Sequence, residues 1–329
     1  MSSVLRCSRW LSPQFKLLRS VTNPLAKFSL SFSTTTTTTN HEEESSQPRR
    51  LPIRVAFTDS AGRGVFATRR IGAGELIHTA QPLVSHPSLS KINTVCYLCL
   101  RSLKLRNDAQ AVAQPYCSNE CREQSKAFYV VEKKADWSTY HEYCRNQGLK
   151  YPLLVKRLAC MVISGAVSAD CIDILQPAYM LPAIDEEYGL LRSTFEGIHM
   201  TSEQLEFLTK QWYADVLARI RINAFRIEVI AASYKDLPSA AAASVEAEAG
   251  VGNAVYILPS FYNHDCDPNV HILWIDNTNS RLKALCDIEE GEELRICYID
   301  ASMDHQARQN VLMGGFGFKC SCHRCVEGD

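Results

Sequence analysis

Three groups of residues near the C-terminal end of this chain carry side chains that could act on one ligand together. The first is the run Asn-His-Asp-Cys-Asp-Pro-Asn at residues 263–269. Tyr298 follows in the run Ile-Cys-Tyr-Ile-Asp at 296–300, and Cys-Ser-Cys-His-Arg-Cys occupies 320–325. Taken singly, the Asn-His pair predicts a turn whose side chains cap backbone groups, and the tyrosine predicts a half-buried strand. On its own, neither pattern indicates a chemical role.

Cysteines earlier in the chain are spaced as metal ligands. Cys96 and Cys99 form a CxxC pair, and Cys117 and Cys121 form a CxxxC pair after 17 intervening residues. Each pair supplies two thiolates from a tight turn, so the two pairs together predict a tetrahedral zinc site. The alternative is four unconnected thiols.

The closing run supplies three more thiols, from Cys320, Cys322 and Cys325. A closed structural zinc site needs four ligands, so one ligand must come from elsewhere. His323 is near in sequence, but it lies between two ligands in a tight turn and is expected to point away.

The composition is that of a globular protein. The 329 residues are 46% hydrophobic and 22% charged, with a net charge of −1. A nearly neutral chain lacks the positive field that supports direct binding to nucleic acid. Fourteen cysteines would indicate disulfides in a secreted protein, but the start of the chain has no apolar signal region. The longest apolar-rich run, Leu158–Val167, is too short to span a bilayer.

Residues 1–41 differ in composition from the rest of the chain. They are rich in Ser and Thr, carry several basic residues, and contain no acidic residue before Glu42. This composition favours a transit peptide for a mitochondrion or plastid. The alternative is a disordered tail that carries no targeting signal, in which case the protein could be nuclear.

The elements that must position these groups are short strands and a helical segment. Ile53–Phe57 alternates with period two, Gly62–Ala67 is a glycine turn entering a strand, and strand-like runs return at 255–258, 270–275 and 294–298. Residues 150–232 carry apolar residues at three- and four-residue spacing, which predicts helices. Ser239–Gly252 is rich in Ala and Gly and predicts a surface loop.

The Asn-His run, the Tyr298 strand and the closing cysteines, in this order, resemble the catalytic half of a SET-domain protein lysine methyltransferase. Tyr116-Cys117-Ser118-Asn119-Glu120-Cys121 resembles the centre of a MYND finger. The chain is therefore similar to the SET-and-MYND family, within a plant-like, trithorax-related SET group. The resemblance implies an α+β fold of small sheets, with an inserted zinc finger, a helical insertion and a cysteine-rich post-SET tail.

We divide the chain accordingly into seven parts. They are a transit peptide (1–41), a linker (42–52), an N-terminal SET part (53–95), a degenerate MYND-like finger (96–144), a helical insertion (145–220), a C-terminal SET part (221–300) and the post-SET tail (301–329). Because the finger is an insertion, we expect the SET core to survive its loss.

The resemblance also implies the site residues. Tyr298 would be catalytic, with its hydroxyl oriented toward the methyl group and the target amine. Tyr256 and Ser260 fit the family's spacing, and Phe318 would flank the adenine or the lysine channel. The implied contacts to S-adenosylmethionine are made by Gly62, Arg63, Gly64, Asn223, Asn263, His264, Tyr298 and Phe318.

Two zinc ions are implied. The family's finger usually holds two zincs, but residues 100–115 contain no Cys or His, so only the site of Cys96, Cys99, Cys117 and Cys121 is expected there. His141 and Cys144 could be a surviving fourth pair; the alternative, which we favour, is a surface histidine and a buried thiol. In the tail, the family places the cysteine of its Asn-His-x-Cys motif beside the post-SET segment, which favours Cys266 with Cys320, Cys322 and Cys325.

The implied activity is S-adenosylmethionine-dependent methylation of a protein lysine, in a histone or another protein, by a monomer that binds neither nucleic acid nor membrane. One alternative is a non-catalytic adaptor, but a degenerate SET domain is expected to lose Tyr298 or the Asn263-His264 pair. The other alternative is a zinc hydrolase. A catalytic zinc keeps an open coordination position, whereas the ligands of these clusters are all cysteines.

Overall fold

The computed structural model describes residues 50–103, 115–179, 184–198, 200–229 and 250–329. The predicted transit peptide, residues 42–49 of the linker and most of the predicted loop at 239–252 lie outside the described residues. Within these ranges, no helix is long and apolar enough to cross a membrane.

Ten short strands and seven α-helices occur in the described part of the chain. The strands are β1 Ile53–Phe57, β2 Arg63–Ala67, β3 Leu76–Ala80, β4 Val84–Pro87, β5 Ala224–Glu228, β6 Gly250–Val255, β7 Asn263–His264, β8 Val270–Leu273, β9 Ser280–Ala284 and β10 Glu293–Ile296. The helices are α1 Asn119–Lys133, α2 Ser138–Asn146, α3 Tyr151–Ile163, α4 Asp185–Gly197, α5 Lys210–Asn223, α6 His305–Phe316 and α7 His323–Glu327.

The strands form three small sheets, so the predicted α+β fold is confirmed. Their orders are β1-β2-β10-β7, β3-β9-β8 and β4-β6-β5. Strand β9 shows why these segments pair: Ser280, Leu282 and Ala284 are buried, while Arg281 and Lys283 are exposed. This alternation gives the strand one apolar face for the core and one polar face for water.

Two sequence predictions are wrong in detail. Residues 224–228 form strand β5 rather than continuing a helix, because Phe225 and Ile227 alternate with polar residues and pair with β6. The strand predicted at 255–258 lies earlier, as β6 at Gly250–Val255, and a 3₁₀ turn follows at Pro259–Phe261.

The finger packs against both the helices and the sheets. Tyr97 packs in the same buried cluster as the helices α1, α3 and α5, and Val95 and Leu100 pack in a second cluster with Tyr256. Helices α1 and α2 also lie inside the range assigned to the finger, 96–144. The finger therefore shares its core with the sheets and the helical insertion.

A buried ionic cluster joins these parts. Glu132 on α1 accepts hydrogen bonds from Lys156 Nζ at 2.7 Å, Arg157 Nε at 3.3 Å and the Tyr97 hydroxyl at 2.5 Å. Arg157 also donates to the backbone oxygens of Ser85 and Tyr97. The helix α3, the strand β4 and the finger are thus tied to one carboxylate.

Candidate active site and metal centres

The centre of the site is a parallel pairing of two short strands from distant parts of the sequence. Asn263 lies opposite Arg295, and His264 lies opposite Ile296. The backbone N–H of Asp265 continues the pairing by donating to the Ile296 oxygen at 3.0 Å. This register brings the Asn-His pair beside the residues that follow β10, of which the second is Tyr298.

His264 connects Tyr298 to the tail cysteines. The backbone N–H of Tyr298 donates to His264 Nδ1 at 3.0 Å, and His264 Nε2 lies 3.3 Å from Cys266 Sγ. Because Nδ1 accepts, the ring proton is on Nε2. Burial lowers the pKa of His264 to about 4, so the ring is neutral at pH 7. Both ring nitrogens are engaged by the protein, which leaves the backbone and the ring face of His264 for a cofactor.

Tyr298 lies among aromatic rings. Its hydroxyl donates to the backbone oxygen of Tyr262 at 2.6 Å, and its ring centroid lies 5.0 Å from Phe316, 5.2 Å from His264 and 6.5 Å from Phe318. Burial raises the pKa of Tyr298 well above its ordinary value. The predicted Phe318 is therefore at the site, and Phe316, which we did not predict, lies nearer to Tyr298.

The glycine turn before β2 lies against Asn263. Gly62 has φ of +75°, a conformation that favours glycine. A Cβ on Gly64 would lie 2.6 Å from Glu293 Oε1 and 3.1 Å from Asn263 Nδ2, so any other residue at this position would displace these side chains. The Arg63 oxygen accepts from Asn263 Nδ2 at 3.2 Å. The structure thus brings the predicted residues 62–64 and Asn263 together.

The helical insertion reaches the same turn. The Arg63 guanidinium lies over the Phe261 ring, 4.7 Å from its centroid, and donates to the backbone oxygen of Ile174. Asn223, at the end of α5, donates to the backbone oxygen of Gln176 at 2.9 Å, and Gln176 Oε1 lies 3.6 Å from the Cβ position of Gly62. The segment 174–176, which sequence reasoning missed, therefore links Asn223 to the glycine turn.

Tyr256 is a core residue. It is fully buried, donates to the backbone oxygen of Thr278 and accepts from Trp274 Nε1 at 2.8 Å. Ser260 donates to the Tyr256 backbone oxygen at 2.6 Å. Their spacing matches the family, but their side chains hold the fold rather than line the site.

The four finger cysteines meet in space. The ligand atoms of Cys96, Cys99, Cys117 and Cys121 all lie within 4.8 Å of one another. Cys99 and Cys117 have sulfurs 3.4 Å apart, and Cys117 and Cys121 have sulfurs 3.6 Å apart. Tetrahedral zinc with Zn–S bonds near 2.3 Å needs sulfurs about 3.8 Å apart. The four thiols therefore fit one Zn²⁺.

The second group joins Cys266 to the tail. The four sulfurs of this group, from Cys266, Cys320, Cys322 and Cys325, also lie within 4.8 Å of one another, and the Cys266 and Cys325 sulfurs are 3.6 Å apart. Arg308 Nη2 lies 3.9 Å from Cys325 Sγ and favours the thiolate form that binds metal. The alternative ligand His323 is exposed and pairs with Glu327 at 3.2 Å, so it points away as expected.

His141 and Cys144 belong to neither group. Cys144 is buried in the main hydrophobic cluster, and His141 Nε2 lies 3.1 Å from Lys156 Nζ. In the described part of the chain, the groups of three or more clustered ligands are the two sets of four cysteines. The thiol is buried as we favoured, but His141 is half-buried beside a cation rather than a surface residue.

Comparisons of the sequence with known proteins identify its family. The sequence model of the SET domain matches residues 62–299. The chain is 59% identical over 283 residues to Histone-lysine N-methyltransferase ATXR4 of Arabidopsis thaliana, covering 84% of this chain and 87% of the relative. It is 28% identical over 290 residues to Histone-lysine N-methyltransferase SMYD3 of Homo sapiens, covering 83% of this chain and 61% of the relative.

A SET and MYND domain-containing protein of Dictyostelium discoideum is 28% identical over 273 residues, covering 77% of each chain. The crystal structure of the SET domain of LSMT bound to lysine and AdoHcy has 11% identity and a TM-score of 0.30 over 82% of this chain and 53% of that chain, a similarity too low to add to the argument. The SET-domain model alone spans more than half of the chain, and the relatives include SET-and-MYND proteins. The chain belongs to the SET-domain family.

Proposed function

We propose that this protein is an S-adenosylmethionine-dependent protein-lysine N-methyltransferase. The observation that carries the proposal is the parallel pairing of Asn263-His264 with β10, which places Tyr298 within a cluster of aromatic rings. The relative from Arabidopsis, named as a histone-lysine N-methyltransferase, supports the reaction class. An adaptor function receives no support, because Asn263, His264 and Tyr298 are all present and His264 contacts Tyr298.

The residues fit the cofactor. The turn at Gly62–Gly64 lets backbone approach a ligand closely, and Asn263 offers Oδ1 as an acceptor for an ammonium group. When bound, S-adenosylmethionine supplies a methyl group on a sulfonium, which an uncharged lysine amine accepts as the C–S bond breaks and the N–C bond forms. Positioning and dehydration are then the main tasks of the protein.

Tyr298 serves as a hydrogen-bonding group and not as a base. Because burial raises its pKa, the hydroxyl stays protonated at pH 7 and donates to the Tyr262 backbone oxygen. The hydroxyl oxygen keeps lone pairs for a contact with the substrate amine or the methyl group. The rings of Phe316 and Phe318 limit water around it, which favours the uncharged form of an entering lysine amine.

The tail zinc would be held by Cys266, Cys320, Cys322 and Cys325. It would pin residues 320–325 against the Asn-His run, and Phe318 lies two residues before the first of these ligands. The other zinc would be held by the finger cysteines, next to Tyr97 and the buried ionic cluster. Both ions therefore act through structure and not through an open coordination position.

The substrate is a lysine presented by a protein, and we propose a monomeric enzyme without a role for nucleic acid. The names of the relatives favour a histone substrate and a chromatin role. The acid-free, basic segment 1–41 favours a mitochondrial or plastid address and with it a non-histone target. A fluorescent reporter fused to residues 1–45 tests this. Entry into either organelle is expected, and a cytosolic or nuclear signal would favour the histone-directed enzyme.

The activity is tested by methyl transfer from labelled S-adenosylmethionine to proteins of a whole-cell extract. Tyr298→Phe removes one hydroxyl and little volume, so cofactor binding should stay near that of the wild type. Turnover should fall roughly 5- to 150-fold, which corresponds to about 1–3 kcal/mol. Tyr143→Phe, on α2, is the matched control and should keep full turnover. A wild-type protein that labels nothing, or a fully active Tyr298→Phe, would contradict the proposal.

A further inference from the structure

We propose that Glu293 is a positioning residue that fixes the side-chain amide of Asn263, so that Asn263 presents its oxygen to the amino group of the cofactor. Sequence reasoning did not single out Glu293. The inference rests on the proposed function, because it specifies how that same site recognises the amino-acid end of its cofactor.

The two contacts of Asn263 determine which way its amide points. Asn263 Nδ2 lies 2.7 Å from Glu293 Oε1 and 3.2 Å from the backbone oxygen of Arg63. An ionised carboxylate and a backbone carbonyl only accept hydrogen bonds. Both N–H groups of the amide are thus used, and the flipped orientation would set Oδ1 against two acceptors.

The remaining polar atom of Asn263 is Oδ1. None of the described residues donates a hydrogen bond to it. An amide oxygen accepts hydrogen bonds and therefore suits an ammonium group, whereas it repels a carboxylate. The site should accordingly bind a ligand through its cationic amino group at this point.

Glu293 is itself held in place. Its Oε2 accepts two N–H groups from Arg295, at 2.6 and 2.9 Å, and Arg295 also lies 3.3 Å from Asp265 Oδ2. The Glu293 side chain is 14% exposed. Its other oxygen sits against Gly64, where a Cβ would come within 2.6 Å. A second-layer carboxylate with both oxygens engaged can hold the amide more rigidly than water would.

The charge of Glu293 acts in the same direction. Its negative field reaches Tyr298, where it adds to burial in raising the tyrosine pKa. The same field favours the ammonium and sulfonium groups of a cationic cofactor. Glu293 therefore contributes both the orientation of Asn263 and part of the electrostatic attraction.

The test measures affinity rather than turnover. Isothermal titration of the zinc-loaded full chain compares S-adenosylhomocysteine with its analogue that lacks the amino group. The wild type should bind the amino-containing ligand at least roughly tenfold more tightly, since a hydrogen bond to a charged group is at stake. Glu293→Ala should weaken binding of that ligand and bring the ratio of the two affinities close to one. Glu293→Gln, which keeps an acceptor but no charge, should lie between.

Glu290→Ala is the matched control. Glu290 is exposed on the turn before β10, and its removal should leave both affinities unchanged. Because Glu293→Ala also loses contacts with Arg295, its melting curve is recorded, and Glu293→Gln carries the test if the alanine variant unfolds. If the Glu293 variants retain the wild-type ratio, the inference is wrong while the proposed function stands. If the wild type binds neither ligand, the proposed function itself fails.

Discussion

Replacement of Glu132 by glutamine should strongly destabilise the protein. Glu132, Lys156 and Arg157 are 8%, 0% and 2% exposed. Burial alone would raise the pKa of Glu132, but Lys156 and Arg157 outweigh it and hold the pKa well below its usual range. Glu132→Gln keeps the shape of the side chain and removes the negative charge of this cluster. The buried cations Lys156 and Arg157 then lose their charged partner.

The magnitude follows from that loss of pairing. Removing one partner of a buried ion pair costs about 3–5 kcal/mol, against a total stability of about 5–15 kcal/mol for a typical domain. Equilibrium unfolding in urea at pH 7, with zinc present, should show the free energy of unfolding reduced by this amount. A variant that also replaces Lys156 and Arg157 with methionine should recover much of the loss, because no uncompensated charge remains.

An exposed ion pair supplies the control. Glu196 pairs with Arg192 at 2.7 Å across one turn of α4, with half of its side chain exposed. Glu196→Gln should cost about 0.3–0.5 kcal/mol. If Glu132→Gln is no more costly than Glu196→Gln, the buried cluster is not a source of stability and the reasoning is refuted.

Three further outcomes are expected. Cys266→Ser should release about one zinc equivalent, measured by mass spectrometry, and reduce methyl transfer. Cys286→Ser, at an exposed thiol, should do neither. Retained zinc and activity in Cys266→Ser would refute the tail site. Cys99→Ser should release the other zinc equivalent. Because the finger shares its core with the rest of the protein, this variant should also lower the unfolding midpoint of the whole chain. A change confined to the finger would count against the shared core. Burial lowers the pKa of His78 to about 4, so this side chain binds a proton more readily in the unfolded chain between pH 6.5 and 4. His78 should therefore account for roughly 3 kcal/mol of the stability lost as the pH falls through that window. Burial also lowers the pKa of His264 and His141 to about 4, so His78→Phe should make the dependence shallower by its own share, and an unchanged slope would contradict this.

The cysteine clusters and the Asn263–Tyr298 pair were predictable because their chemistry depends on residue type and spacing. Two CxxC-like pairs are spaced to supply four thiolates to one metal ion. His264 is the last residue of β7, and Tyr298 is the second residue after β10. Phe316 carried no comparable signal, because it ends helix α6 and Gly317 follows it in the left-handed conformation, so its place beside Tyr298 depends on how the tail folds back.

Contacts between distant elements could not be predicted in this way. Glu293 looks like any acidic residue in a charged turn, and only the pairing of β10 with β2 and β7 places it beside Asn263. Gln176 reaches the glycine turn because the helical insertion folds back there. Lys156 and Arg157 interrupt an apolar helix, and their burial depends on a partner 24 and 25 residues away.

The distances along the chain within the site also have a kinetic consequence. The Arg63 oxygen and Asn263 are 200 positions apart, and Cys266 pairs with a thiol 59 positions later. A ribosome that adds about 5–20 residues per second needs roughly 13–50 s to pass from the glycine turn to Cys325. During that interval β2 has β1 beside it, but its other edge waits for β10. Methyl transfer therefore cannot begin before the tail is synthesised, and the second edge of β2 has no partner strand until β10 follows.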